Sequence, residues 1–168
     1  GLGDVYKRQV YGCGGFAREV MPLLKKTVNN GENAYYFIDD AVDKEVIVNG
    51  TKVINFDDLL HHFSTEPIHC VIAIADFNTR RILTDKCLSN GIKIISVDAG
   101  NCFVMDEVVI GEGSILSPFV TITSNVTIGK SFHANLYSYV GHDCTIGDFV
   151  TFAPWVRCNG NVNISLYF

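Results

Sequence analysis

From Phe103 to Ile164 the sequence keeps a single beat of six residues. Cut in sixes it runs VIGEGS, ILSPFV, TITSNV, TIGKSF, HANLYS, YVGHDC, TIGDFV, TFAPWV, RCNGNV, NI. The second positions, counting one hexad upstream, are Val104, Ile110, Leu116, Ile122, Ile128, Ala134, Val140, Ile146, Phe152, Cys158 and Ile164. All are aliphatic, aromatic, Ala or Cys. With about half of the chain apolar, such a run in a chosen frame would arise by chance about once in 2,000. Glycine recurs at Gly111, Gly129 and Gly147, at intervals of eighteen. Three hexads therefore predict one turn of a triangular coil, with Ile110, Ile128, Ile146 and Ile164 stacked in a column. Each hexad reads as a short strand and a corner. One side chain points into the prism, and Gly, Asn or another tolerant residue takes the strained corner backbone.

Upstream the period changes. From Val10 to about Asp98, short apolar runs alternate with helical stretches. Val10-Tyr11 reads as the end of a strand and Gly12-Cys13-Gly14-Gly15 as a tight turn. AREVMPLLKKTVNN then carries Val20, Leu23, Leu24 and Val28 at helical spacing. AYYFIDD is a second strand ending in acids, and Asn49-Gly50 within VIVNGTKVI signals a hairpin. DDLLHHF reads as a short helix, HCVIAIAD as a buried strand, TRRILTDKCLSNG as a helix closed by Gly91, and IKIISVD as a last strand. This alternation predicts a small Rossmann-like parallel sheet covered on both faces. The expected division is 10–99 for the α/β domain and 100–168 for the repeat. Residues 1–9, GLGDVYKRQ, lack the apolar run of a first strand, and DVYKRQ resembles one frame of a transposon adapter used for DNA libraries. They are expected to be foreign to the native chain.

The bulk numbers remove several function classes. A formal charge of −5 with no basic run argues against duplex nucleic acid or an anionic membrane as partner, since both need clustered Lys/Arg. No apolar stretch approaches the ~18–20 residues that span a bilayer. The six cysteines (Cys13, Cys70, Cys87, Cys102, Cys144, Cys158) form no C-x-x-C. That suits reduced thiols in a cytoplasmic protein better than a disulfide framework or a zinc site.

Two places carry candidate chemistry. His142-Asp143 follows Val140 and Gly141, near a corner where side chains leave the prism. Imidazole suits a general base because it titrates near neutrality, and a carboxylate on its other nitrogen would fix the tautomer and stabilise the imidazolium. Adjacent residues need not face each other, so Asp143 has two possible partners, its own ring or another subunit's. The alternative is a surface histidine in a polar corner. Adjacent His-Asp-Cys offers no convergent ligands, so no metal is expected.

The second place is the turn built from Gly12, Gly14 and Gly15. It fits G-x-G-x-x-A before a helix, with Asp39 and Asp40 at about the offset of a ribose-binding acid. A dinucleotide site is one outcome, but only about 90 residues are available and the repeat is unrelated to reductases. A second outcome is a turn whose N–H groups hold a phosphate or sugar group, with Asp39 and Asp40 on the base, ribose or amine. A plain strand-to-helix turn is the third. Asp76 ends a strand at the edge where ligands sit in parallel sheets. Arg80 or Arg81 either faces a phosphate or is solvated helix charge. His61, His62 and His69 read as ordinary surface or strand-edge histidines.

The chain resembles the NeuD/PglD family of sugar acetyltransferases, within the hexapeptide acyltransferases. The matching residues are Y-G-C-G-G-F at 11–16, F-I-D-D at 37–40, I-A-D at 74–76 and H-A-N-L-Y-S-Y-V-G-H-D-C-T-I-G-D-F at 133–149. The resemblance covers roughly residues 10–164. It implies a left-handed parallel β-helix, a homotrimer, and acetyl-CoA as co-substrate between neighbouring prisms. The amino-terminal domain would hold a sugar or nucleotide-sugar. His142 would be the base, oriented by Asp143. Asn135 would lie nearby, bonded to substrate or to the thioester oxygen, or simply filling a corner beside His133. Thr151 stands where some relatives carry a second histidine near the thioester, and Trp155 would border the pantetheine channel or serve packing with Phe132, Tyr137, Tyr139 and Phe149. Both are candidate acetyl-CoA contacts. Phe16 stands where members acting on nucleotide amino-sugars often carry histidine. Relatives continue for further coils beyond Phe168, so a C-terminally truncated fragment is expected.

Two functional classes follow. One is an acetyl-CoA-dependent acetyltransferase acting on a sialic acid hydroxyl or a nucleotide-linked amino-sugar. The other is a non-catalytic nucleotide-sugar-binding or scaffold β-helix protein.

Overall fold

The computed structural model describes residues 7–26 and 34–165. Residues 1–6 of the suspected adapter, Val28 of the first helical pattern, and the last three residues lie outside that range. The chain divides into two compact units, Gly1–Ile74 with Ile82–Ile95, and Ala75–Arg81 with Ser96–Phe168.

The first unit holds β1 (Lys7–Tyr11), α1 (Gly15–Lys26), β2 (Phe37–Ile38), β3 (Val46–Val48), β4 (Thr51–Ile54), α2 (Phe56–His62), β5 (Ile68–Ile72) and β6 (Lys93–Ile94), with most of α3 (Phe77–Ser89). The sheet order is β3-β4-β2-β1-β5-β6, parallel except for the edge strand β3. The β3–β4 hairpin turns on Asn49 and Gly50, both left-handed at φ 48° and 73°, as a two-residue hairpin of matching twist requires. Buried Ala17, Val20, Met21, Leu23 and Leu24 form the inner face of α1.

Strand β1 differs from the sequence expectation. It starts at Lys7 and pairs in register with β5, Lys7 with Ile68 through Tyr11 with Ile72. Polarity hid it. Gln9 is fully buried, and its amide completes the neighbouring backbone: Nε2 donates to the Ala34 carbonyl (3.2 Å) and Oε1 accepts from Tyr36 N–H (2.6 Å). A buried amide satisfied in both directions substitutes for an apolar residue at little cost.

The second unit is the predicted prism, a left-handed parallel β-helix. Its first coil comprises β7 (Val97–Asp98), β8 (Phe103–Val104) and β9 (Val108–Ile110). The second comprises β10 (Ile115–Leu116), β11 (Thr121–Ile122) and β12 (Val126–Ile128). The third has β13 (His133–Ala134), β14 (Tyr139–Val140) and β15 (Thr145–Ile146), and the fourth β16 (Thr151–Phe152), β17 (Arg157–Cys158) and β18 (Asn163–Ile164). They form three parallel four-stranded walls, β16-β13-β10-β7, β17-β14-β11-β8 and β18-β15-β12-β9. Within each wall, facing residues are eighteen apart, as in Ile128 opposite Ile146. The run IKIISVD is two strands: β6 pairs with β5, while β7 opens the first coil.

Three details refine the hexad. The inward column is buried from Leu116 to Cys158, but Val104 at its head is exposed. A second inward column occupies the sixth position: Val120, Val126, Phe132, Cys144 and Val150 are all buried. The glycines also have a different purpose. Left-handed φ, between 54° and 76°, recurs at the fifth position: Glu107, Gly113, Phe119, Asn125, Ser131, Tyr137, Asp143, Phe149, Trp155 and Asn161. For L-residues this conformation costs about 1–2 kcal/mol. Most of these corners offset it with a bond to the coil before: Ser131 N–H reaches the Glu112 carbonyl (2.8 Å) and Trp155 N–H the Leu136 carbonyl (2.9 Å). Gly111 and Gly129 sit instead at the third position. There a Cβ would come within 2.4 Å of Lys130 N and 2.7 Å of Asp148 N, so glycine permits coil-to-coil approach and is not needed for φ.

Candidate active site

The strand β14 delivers Gly141 to the corner, and the chain then turns through His142 and the left-handed Asp143 (φ 58°). That backbone twist brings two adjacent side chains face to face. His142 Nδ1 donates to Asp143 Oδ2 at 2.7 Å, so of the two partners left open for Asp143, the structure has its own neighbour's ring. The pair is open to solvent, with side chains 59% and 55% exposed. With Nδ1–H held by the carboxylate, Nε2 presents its lone pair outward, as a base requires. The corner is pinned by Asp143 N–H to the Ser124 carbonyl (3.2 Å) and by Asn161 N–H to the His142 carbonyl (2.8 Å). In the next coil, Gly160 lies against the ring.

The other prism candidates occupy different edges of the same chain. Asn135 sits at the preceding corner, a third of a turn away. Its Oδ1 accepts from Leu136 N–H (2.7 Å), which fixes the amide and aims Nδ2 away from the backbone. Trp155 shares that edge, one coil on. It stacks on Tyr137 (4.5 Å between centroids, 9° between planes), which stacks on Phe119 (4.8 Å, 12°). This ladder faces solvent, with Trp155 61% exposed. Thr151 lies on β16 opposite His133, and its Oγ1 donates to the Ala75 carbonyl (3.3 Å).

Sequence reasoning missed the environment of Arg80. It is fully buried, not solvated helix charge. Nη1 donates to the Ala75 carbonyl (2.9 Å) and to Nδ1 of buried His133 (3.2 Å), and Nη2 to the Phe149 carbonyl. Burial pulls the guanidinium down to about 10, against the opposing pull of Asp76. His133 therefore belongs to a buried lock at the start of α3. As a first-position residue beside inward Ala134, His133 reads as outward in the hexad, and nothing in the sequence paired it with Arg80.

In the first unit, Gly12 is left-handed at φ 105°, and a Cβ there would meet Ile74 Cδ1 at 2.9 Å and the Ala73 carbonyl at 3.1 Å. The turn demands it. At Gly14 a Cβ would meet nothing within 4 Å, and at Gly15 only Arg18 Nη2 at 3.8 Å; both leave open space at the N-terminus of α1. The two acids after β2 behave differently. Asp39 is oriented toward the turn, its Oδ2 accepting from Cys13 Sγ (3.0 Å) and Oδ1 from Ala41 N–H (3.0 Å). Burial, reinforced by that carboxylate, pushes the Cys13 thiol up to about 11, so it stays a protonated donor. Asp40 is committed internally, accepting from Tyr11 Oη (2.6 Å), Lys86 Nζ (2.8 Å) and Phe56 N–H (3.1 Å). Burial raises its carboxyl, but those bonds outweigh it and hold the group below its ordinary value. Burial and the same carboxylate drive the Tyr11 phenol up. Asp76 caps α3: its Oδ1 accepts from Thr79 Oγ1 (2.6 Å) and N–H (2.8 Å), which lowers its carboxyl.

Among the described residues, no group of three or more His, Cys, Asp or Glu is arranged to hold a metal ion, and no helix is long and apolar enough to cross a membrane.

Comparison with known proteins places this geometry. A family described as the PglD N-terminal domain matches residues 9–87. The chain is 39% identical over 158 residues to GDP-perosamine N-acetyltransferase of Escherichia coli O157:H7, across 92% of this chain and 71% of that protein. WeeI from Acinetobacter baumannii AYE matches with a TM-score of 0.91 and 42% identity, across 95% of this chain and 75% of WeeI. PerB from Caulobacter crescentus, solved with CoA and GDP-perosamine, matches with a TM-score of 0.79 and 25% identity, across 94% of this chain and 73% of PerB.

Proposed function

The chain belongs to the NeuD/PglD family of sugar acetyltransferases, and from that premise we propose that it transfers the acetyl group of acetyl-CoA to the amine of a nucleotide-linked amino-sugar. The nucleotide-amino-sugar acceptor is favoured over a sialic acid hydroxyl by the GDP-perosamine enzymes among its relatives. The observation that carries the chemistry is the 2.7 Å bond between His142 Nδ1 and Asp143 Oδ2 at an open corner of the prism. Held in this tautomer, His142 Nε2 takes a proton from the neutral sugar amine as its nitrogen adds to the thioester carbonyl. Asp143 stabilises the imidazolium that forms. As the C–S bond breaks, the imidazolium returns the proton to the departing thiolate, so amide and free CoA leave with charges balanced.

The remaining assignments follow the geometry. Gly12, Gly14 and Gly15 hold the phosphate or sugar part of the acceptor at the open start of α1, with Asp39 beside them on the sugar or base. Asp40 supports that region by orienting Lys86 and Tyr11, and Asp76 caps the start of α3. In a homotrimer, the Asn135 and Trp155 edge of one prism would face the His142 edge of the next. Trp155, Thr151 and the Asn135 amide would then border the acetyl-CoA chain. The six unpaired thiols suit a cytoplasmic enzyme.

The test is thiol release from acetyl-CoA, with GDP-perosamine and a sialic acid as alternative acceptors and His142→Ala in parallel. Release with the nucleotide amino-sugar, reduced about 10²–10⁴-fold in the variant, is expected. Full activity in a folded His142→Ala protein would refute the assignment of the base.

A further inference from the structure

We propose that Gly160 is a positioning residue for His142, a bare seat on which the imidazole rests; this extends the assignment of His142 as base. Gly160 lies eighteen residues beyond His142, in the same column of the next coil. A Cβ built on it would fall 2.7 Å from both Cε1 and Nε2 of His142 and 3.0 Å from Cδ2. Those three ring atoms are its nearest neighbours. At Gly111 and Gly141, by contrast, the added atom meets only the backbone of the next coil, at 2.4 and 2.5 Å, and at Gly129 it meets Asp148 Oδ1 first and then the backbone of the next coil at 2.7 Å. Those three glycines serve the wall, and Gly160 serves the ring. Its φ lies outside the left-handed region, so backbone conformation does not call for glycine either.

The function of such a seat follows from the exposure of the site. A half-exposed imidazole has several rotamers open to it, and one hydrogen bond to Asp143 leaves rotation about that bond unrestrained. The three distances put the added atom over the face of the ring beside the Cε1–Nε2 bond, so Gly160 backs the ring face and leaves the in-plane lone pair of Nε2 open to the substrate amine. Gly141 lets the next coil come up close enough to do so, since its own missing Cβ clears Gly160 N. Any side chain at 160 would drive the ring off this position. A misplacement of about 1 Å in a reacting group costs on the order of 100-fold in rate.

The experiment is a double-variant cycle of Gly160→Ala with His142→Ala. Expected are a fall in kcat of about 10–100-fold for Gly160→Ala, little change in KM for acetyl-CoA, and no further effect of Gly160→Ala in the His142→Ala background. A second readout needs no activity: the nuclear Overhauser contact between His142 Hε1 and the 160 Hα is present in the native protein and lost in Gly160→Ala. Native kcat in Gly160→Ala overturns the proposal, and so does an equal loss on the His142→Ala background. If Gly160→Ala fails to fold, its recovery in the double variant supports the clash with the ring; failure of both makes the glycine part of the wall and overturns it. Full activity in His142→Ala would sink the base assignment alone, and the seat would then stand or fall on the proton contact.

Discussion

Replacing Arg80 by methionine sets two large and opposite effects against each other. The buried guanidinium satisfies the carbonyls of Ala75 and Phe149 and Nδ1 of His133. Removing it takes the donor from the Phe149 carbonyl and from His133 Nδ1, while the Ala75 carbonyl keeps Thr151 Oγ1 (3.3 Å); at about 1–3 kcal/mol each, roughly 4 kcal/mol is lost at the centre of that range. Against this, the guanidinium has been pulled from 12.5 to about 10 by burial. At about 1.4 kcal/mol per tenfold, that is roughly 3 kcal/mol already set against the charged form, and methionine recovers it. The difference predicts a net destabilisation of about 1 kcal/mol. For a chain of this length that corresponds to a drop of about 2–4 °C in Tm. The assay is thermal unfolding of Arg80→Met and Arg80→Lys beside the native protein. Lysine keeps the charge but lacks the planar fork that reaches acceptors in three directions, so it should be at least as damaging as methionine. An Arg80→Met protein as stable as the native one would show that desolvation outweighs the bonds, as happens in some buried ion pairs. A lysine variant close to native would show that charge, not fork geometry, is what the site uses.

Other perturbations separate the remaining structural assignments. Asp143→Asn should reduce kcat by about 10–100-fold while leaving KM for the acceptor nearly unchanged, because the amide no longer fixes the ring tautomer; steady-state thiol release reads both. Gly129→Ala forces a Cβ to within 2.7 Å of Asp148 N and should destabilise by about 1–3 kcal/mol or more, read as a lower urea midpoint. Asp40 is held below its ordinary value, so its contribution is present above the unfolded carboxyl value near about 4 and lost as pH falls through the lower folded value. Urea midpoints measured between about pH 2 and 6 should lose that portion of their slope in Asp40→Asn. Tyr137→Ala breaks both contacts of the ladder with Phe119 and Trp155 and should cost about 1–3 kcal/mol, at roughly 0.5–1.5 per pair.

The prism was legible because its period is carried by many residues at once. Moving any single apolar residue would not have hidden the spacing between Ile110, Ile128 and Ile146. The sixth-position column of Val120, Val126 and Phe132 was equally visible, but a single inward residue per hexad already accounted for the pattern. Strand β1 was hidden because its burial rests on Gln9, whose amide bonds to Ala34 and Tyr36 far along the chain. No local polarity count registers such a partner. The His142–Asp143 contact depended on a left-handed φ at Asp143 that sequence periodicity places only after the corner position is known. Asp39 and Asp40 look alike in FIDD, yet one turns to Cys13 and the other to Lys86 and Tyr11, a division set by side chains 26 and 46 residues away.

The eighteen-residue register also gives the prism a reading frame. Removing a whole hexad upstream of His142, such as 121–126, would leave every remaining strand with an apolar second residue and a tolerable corner. The wall would close. Yet each later residue would be carried back by a third of a revolution, and His142-Asp143 would emerge on the edge that now bears Leu136 and Tyr137. A loss of eighteen residues restores the azimuth and shortens the stack by one level. Insertions and deletions in this half of the chain therefore fall into two kinds, those that keep the phase of the base and those that rotate it out of place while leaving the fold intact.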